Sequence, residues 1–144
     1  MKESIFCSSP EETFAAGEKL GRDLCAGDVV LLTGGLGAGK TLFTKGVVNA
    51  LEYDIDEVTS PSFTRVNLYR TDLLDVYHID LWRLESSSNP AEAVGLDEIL
   101  ENPRAVTLIE WAERLGDLNV ADNIISVLIQ GDGDNPRRID IEKA

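Results

Sequence analysis

Cations and cysteines are what this chain has little of. Lysine and arginine together number 13 against 26 aspartates and glutamates, a net charge of −13 over 144 residues. Nucleic-acid backbones are held by clustered Lys and Arg, so extended binding of RNA or DNA by this chain alone is not expected; a partner would have to hold it. The two cysteines, Cys7 and Cys25, form neither a metal-ligand spacing nor a disulfide framework, and they read as reduced intracellular thiols. No apolar run approaches bilayer length. The segment from Met1 to Pro10 lacks a long apolar core and a small-residue cleavage site, so no secretory signal is expected and a cytoplasmic location is the default. The chain also lacks Asn-Lys-x-Asp, the guanine-recognition motif, and Asp-x-x-Gly. A GTPase switch of the Ras type is therefore not expected, and adenine is the better guess for any bound base.

What is present is ordinary in bulk: 43% apolar and 27% charged residues, in a length that suits one domain spanning 1–144. Ser9-Pro10-Glu11-Glu12 places a capping hydroxyl, a proline at the first helical position and a glutamate three residues after the cap. Phe14, Leu20 and Leu24 then mark an apolar stripe that ends at Gly27-Asp28. Val29-Val30-Leu31-Leu32-Thr33 is a short apolar run that suits a strand buried on both faces. A glycine-rich loop follows, and Leu42, Phe43, Val47, Val48 and Leu51 recur behind it at helical spacing. Arg65 to Tyr69 and Leu74 to Ile79 read as a hairpin turning at Arg70-Thr71-Asp72. Ser86 to Pro90 is a loop leading into a helix around Ala91 to Leu100 that Gly95 weakens. Ala105 to Ile109 is a second buried strand, and Ile124 to Ile129 with Arg138 to Ile141 forms a closing hairpin. The order predicts a compact α/β domain of P-loop NTPase type, a mixed β-sheet flanked by helices.

The chemistry concentrates in Gly34-Gly35-Leu36-Gly37-Ala38-Gly39-Lys40-Thr41. A glycine, four free positions and Gly-Lys-Thr, directly after a buried strand and before an amphipathic helix, is the phosphate-loop pattern in its required context. Glycines let the chain curl so that successive N–H groups point at phosphate oxygens, and the helix N-terminus adds partial positive charge. Lys40 adds a full charge near the β- and γ-phosphates, and Thr41 offers its hydroxyl to Mg²⁺. An anionic nucleotide thereby finds local positive potential inside an acidic protein.

A magnesium site of this kind calls for a carboxylate at the end of a neighbouring strand. Glu110, after Val106-Thr107-Leu108-Ile109, is the first candidate and Asp80 the second. His78 and Asp80 are two apart and point to one face of a strand, where Asp80 could position the attacking water. His78 itself reads as structural more readily than as catalytic. Thr59, Ser60, Ser62 and Thr64 surround Pro61 in a loop that could close over the γ-phosphate.

Taken with the phosphate loop, Thr59-Ser60-Pro61-Ser62-Phe63, His78-Ile79-Asp80-Leu81-Trp82-Arg83-Leu84 and Ile109-Glu110-Trp111 resemble, in order and spacing, the bacterial TsaE (YjeE) family over nearly the whole chain. The resemblance implies an ATPase of tRNA threonylcarbamoyladenosine biosynthesis. It implies a two-subunit TsaB/TsaD-type partner that transfers a threonylcarbamoyl group to the adenosine next to the anticodon, in tRNAs reading codons that begin with A, with the ATPase resetting it. Carried over, Lys40 would contact phosphate, Thr41 and Glu110 would bind Mg²⁺, and Asp80 would assist hydrolysis beside the same metal. Backbone groups from Gly35 through Leu42 would cradle the ATP, Ser60 and Ser62 would lie in a switch near the γ-phosphate, Trp111 would lie by the nucleotide, and Thr13 would reach the adenine side. The family commonly has aspartate where Gly35 stands and a second threonine where Leu42 stands. Gly35 is a free position of the pattern, and the side chain at 42 is expected in the helix's packing face, so binding should survive both; Ser62 for threonine keeps the hydroxyl. Two rivals remain on sequence: a small-molecule kinase that recruits Arg65, Arg70 and Arg83, and an ATP-operated binding module with negligible turnover of its own.

Overall fold

The structure, a computed structural model, describes residues 2–35, 37–58, 66–81, 95–112 and 123–143, the side chain of Glu57 excepted. In chain order they form β1 (Lys2–Cys7), α1 (Pro10–Asp23), β2 (Val29–Thr33), α2 (Lys40–Ala50), a 3₁₀ turn (Ile55–Glu57), β3 (Val66–Arg70), β4 (Asp75–Asp80), α3 (Leu96–Leu100), β5 (Ala105–Glu110), β6 (Ile124–Gln130) and β7 (Arg137–Lys143). The strands make one seven-stranded sheet in the order β1-β7-β6-β2-β5-β4-β3. The central four, β6, β2, β5 and β4, are parallel, whereas β1, β7 and β3 pair antiparallel at the two sides. The sheet is thus mixed, with helices packed on it, as the element order predicts.

Alternation along β2 divides two apolar cores. Val30 and Leu32 join Leu20, Phe43, Val47, Leu108 and Val127 under α1 and α2. Val29 and Leu31 face the opposite side, with Ile79, Ile109, Leu96 and Ile99 around α3. A strand covered on both faces has no polar positions to alternate, which is why β2 and β5 read as continuous apolar runs.

Four local expectations need correction. β1 was not anticipated: its burial alternates weakly, and its partner β7 lies at the other end of the chain, so no local signal marks it. Ser9 caps α1 as expected, accepting from the Glu12 N–H at 3.3 Å. The Glu12 carboxylate, however, reaches one residue further back, taking the Ser8 N–H at 2.5 Å and the Ser8 hydroxyl at 3.0 Å. Phe14 is only half-buried; the face of α1 that packs is Thr13, Ala16, Gly17, Leu20 and Gly21. Gly95, at a left-handed φ of 69°, is the N-cap of α3 rather than a weak point inside it, and residues 86–94 lie outside the described residues.

Those glycines decide how α1 meets α2. A Cβ on Gly17 would stand 2.1 Å from the Phe43 carbonyl oxygen, and one on Gly46 would stand 2.1 Å from that of Phe14. Backbone therefore touches backbone at the crossing. Each helical glycine costs about 1 kcal/mol relative to alanine, a cost offset by the contact that the missing side chains permit. The crossing sets the N-terminus of α2 close beside the start of α1.

Candidate functional site

β2, β5 and β4 run parallel, so their carboxyl ends lie at one edge of the sheet, where ligands of open α/β sheets bind. In register, Leu32 lies opposite Glu110, and Glu110 opposite Asp80. The glycine-rich loop leaves β2 at this edge and turns into α2 through Gly39, whose φ of 107° is readily taken only by glycine. The positive end of α2 is thereby brought to the two acidic strand ends.

Lys40 is 7% exposed. Its Nζ donates to the Gly34 carbonyl at 2.7 Å and lies 4.1 Å from the centroid of the Trp111 ring. Trp111 follows Glu110 directly and adopts a left-handed φ of 60°, at a cost of about 1 kcal/mol or more for a residue with a Cβ. That turn accompanies the placing of the indole over the ammonium, a contact worth about 1–2 kcal/mol in a desolvated setting. Both contacts are to neutral groups, which an anionic phosphate would outbid for the same charge.

Glu110 is 3% exposed and His78 fully buried, with Nε2 of His78 2.5 Å from Oε2 of Glu110. Nδ1 of His78 is 3.3 Å from the Tyr69 hydroxyl, which accepts from Asn67 Nδ2 at 3.2 Å. One pattern that satisfies the run has Asn67 donating to Tyr69, Tyr69 donating to Nδ1, and Nε2–H donating to the carboxylate, the ring roles following the tautomer. One oxygen of Glu110 is so committed to His78, and the other oxygen remains for a further bond. Sequence spacing placed His78 and Asp80 on one face; the register adds Glu110 to that face. His78 thus acts on Glu110, from a position sealed from solvent.

On the other side of the loop, a cavity of about 300 Å³ runs between the start of α1 and the β6–β7 turn. Thr13, Gly39, Leu42, Asn135 and Arg137 are among its lining residues. Thr13 does reach this region, 3.6 Å from where a Cβ on Gly39 would stand. Leu42 does not enter the packing face of α2, where Phe43, Thr44, Val47 and Val48 are buried; it is half-buried at the cavity wall. The helical phase explains the correction, because Phe43 and Val47 claim the inward positions and leave 42 a quarter-turn away. Burial raises the Cys7 thiol above its ordinary value, against a weaker opposing hydrogen bond with Thr13, so it lines the cavity as a neutral group.

Of the remaining candidates, Gly35 and Gly37 are exposed, Ala38 is buried, and Thr41, in the first turn of α2, and Asp80, at the end of β4, are half-buried. Gly35 has open space at its Cβ position. Arg70 is exposed on β3. Leu36, the Thr59–Thr64 segment with Ser60 and Ser62, Arg65, Trp82, Arg83 and Leu84 lie outside the described residues. Sequence reading missed Arg137, whose side chain donates to the Ala38 carbonyl at 2.9 Å and the Gly37 carbonyl at 3.3 Å. No local signal could have found it: the residue is 99 positions from its acceptor and sits in no motif.

Among the described residues no helix is long and apolar enough to cross a membrane. A family model described as threonylcarbamoyl adenosine biosynthesis protein TsaE matches residues 7–139. The chain is 37% identical over 131 residues to the tRNA threonylcarbamoyladenosine biosynthesis protein TsaE of Bacillus subtilis, covering 91% of this chain and 79% of the relative. It is 39% identical over 116 residues to the protein of that name from Nostoc, covering 77% and 68% respectively. The crystal structure of Bacillus subtilis YdiB superposes with a TM-score of 0.75 at 32% identity, over 98% of this chain and 84% of that one. Model, relatives and solved structure agree along nearly the full length, and the chain belongs to the TsaE family of threonylcarbamoyl adenosine biosynthesis proteins.

Proposed function

We propose that this chain is the ATP-hydrolysing subunit of tRNA threonylcarbamoyladenosine formation, one P-loop unit acting in the cytoplasm on a TsaB/TsaD-type transferase. The observation that carries the reading is the corner where Lys40 and the start of α2 stand against the register pair Asp80 and Glu110. In it the triphosphate lies along the glycine loop, Lys40 exchanges the Gly34 carbonyl for phosphate oxygens, and the adenosine occupies the cavity beside Thr13. Asp80 orients the attacking water for in-line displacement at the γ-phosphate.

Thr41, Glu110 and Asp80 are hard oxygen donors of the kind Mg²⁺ takes, in a class of site where phosphates and water complete the shell. When bound, Mg²⁺ would neutralise charge building on the phosphate oxygens. Buried His78 holds the Glu110 carboxylate in one orientation for that duty. Trp111 lies by the nucleotide and guides Lys40; Ser60 and Ser62 belong to a switch segment over the γ-phosphate. The acidic surface fits a division of labour in which the transferase, not this chain, holds the tRNA.

Turnover measured alone and then with the transferase pair tests the reading. A weak basal rate that rises with the pair, and disappears in Lys40→Ala, is expected. A rate indifferent to the pair, with no complex formed, would refute the role in tRNA modification.

A further inference from the structure

Arg137 stands at the first position of β7, where the β6–β7 turn meets the phosphate loop. Its guanidinium reaches four main-chain carbonyls: Ala38 through Nε at 2.9 Å, Gly37 and Gly133 through Nη2 at 3.3 and 3.0 Å, and Asn135 through Nη1. Two acceptors belong to the phosphate loop and two to the turn, so one side chain ties them together. Gly131 makes room for it, since a Cβ there would stand 2.9 Å from Arg137 Cδ.

We propose that Arg137 is a positioning residue of the phosphate loop, pinning the outward carbonyls of Gly37 and Ala38 so that the loop presents its N–H groups to phosphate. The inference rests on the ATP reading above and deepens it. In a trans peptide the C=O and the following N–H point opposite ways, and none of the described peptide bonds is cis. Holding the Ala38 carbonyl on the outside therefore turns the Gly39 N–H inward. Holding the Gly37 carbonyl likewise fixes the Ala38 N–H, which closes a turn onto the Gly35 carbonyl at 3.2 Å.

The loop needs such a pin because its joints are glycines. Gly37 and Gly39 sit at φ of 78° and 107°, and glycine visits the mirror regions almost as readily. An unpinned loop would spend much of its time with amides aimed elsewhere, and nucleotide would have to order it on binding. A planar fork suits the task better than a lysine, whose single ammonium cannot hold two carbonyls in fixed relation. Among the described residues Arg137 forms no ion pair, so its charge also adds to the local potential in a protein of net charge −13.

The test titrates full-length wild type, Arg137→Gln and Arg137→Lys with Mg-ATP and with inorganic tripolyphosphate, and follows amide hydrogen exchange without ligand. Arg137→Gln is expected to weaken both ligands by about tenfold or more, the effect of losing two charge-assisted hydrogen bonds. Arg137→Lys recovers only part of that. Exchange at Ala38, whose N–H bonds the Gly35 carbonyl, accelerates, while the amides of Val127 and Ile139 in the β6–β7 ladder stay protected, which separates loop positioning from unfolding. Wild-type exchange at Ala38 in Arg137→Gln overturns the proposal. So does loss of ATP affinity with tripolyphosphate unaffected, which would put Arg137 at the base instead. Full recovery in Arg137→Lys overturns it too, by leaving charge alone as the cause. Wild type failing to bind ATP would overturn the nucleotide reading, and the exchange comparison would still decide whether Arg137 orders the loop.

Discussion

Replacing Gly17 by alanine sets two effects of opposite sign against each other, and the structure says which wins. In an open helix the change would stabilise by about 1 kcal/mol, because alanine loses less backbone entropy than glycine. Here the new Cβ would stand 2.1 Å from the Phe43 carbonyl oxygen, 3.0 Å from the Phe43 carbonyl carbon and 3.1 Å from the Val47 nitrogen. All three are backbone atoms of α2, so no rotamer change relieves the overlap, and the helices must part by roughly 1 Å to reach ordinary contact. Overpacking of this kind typically costs about 1–3 kcal/mol, and a clash with main chain belongs at the upper end. The net expectation is destabilisation by about 1–2 kcal/mol, a fall in melting temperature of about 3–7 °C for a chain of this size. Because α2 carries Lys40 and Thr41 at its first turn, the shift should also weaken ATP binding more than stability loss alone accounts for. Thermal melts of Gly17→Ala beside Gly35→Asp, where the added atoms meet open space, measure the stability term. Calorimetric titration of the same two proteins measures the binding term. A Gly17→Ala protein that melts at or above wild type would refute the close-crossing argument.

Two further outcomes are expected. The Thr44 hydroxyl is fully buried without a hydrogen-bond partner among the described residues, so Thr44→Val should raise stability by about 1 kcal/mol in a denaturant titration, whereas an unchanged or lower midpoint would show that the hydroxyl is satisfied in solution. The Glu12 carboxyl is held below its ordinary value of 4.5 by the Ser8 N–H and then the Ser8 hydroxyl. Its contribution is therefore present at neutral pH and lost as pH falls through the lowered value, so wild type and Glu12→Gln should differ at pH 7 and converge in acid. Parallel melting curves from pH 7 to pH 2 would contradict that assignment.

Features whose parts are neighbours in the chain were legible without coordinates. The glycine loop, its flanking strand and helix, the Ser9 cap and both hairpins each consist of residues within a few positions of one another, where periodicity and turn chemistry act directly. The carboxylate candidates were legible as strand ends, and the tertiary structure did bring Asp80 and Glu110 side by side. What the strands could not reveal separately is that His78 spends its Nε2 on Glu110, since the contact spans 32 positions and exists only when β4 lies next to β5. The phase of Leu42 was misjudged for a related reason: the packing face of α2 is defined by what α1 offers it, and α1 offers glycines.

By itself, then, the order of residues determined that a glycine-rich loop of the phosphate-loop pattern joins a buried strand to a helix, and that two acids end nearby strands. Local hydrogen bonding and glycine torsions suffice for that much. Only the assembled sheet and the helix crossing decided which distant groups stand around the loop. Trp111 over Lys40, His78 behind Glu110 and Arg137 beneath Gly37 and Ala38 are contacts between segments that share no local pattern. Strand pairing and packing, which act across the whole chain, bring them together.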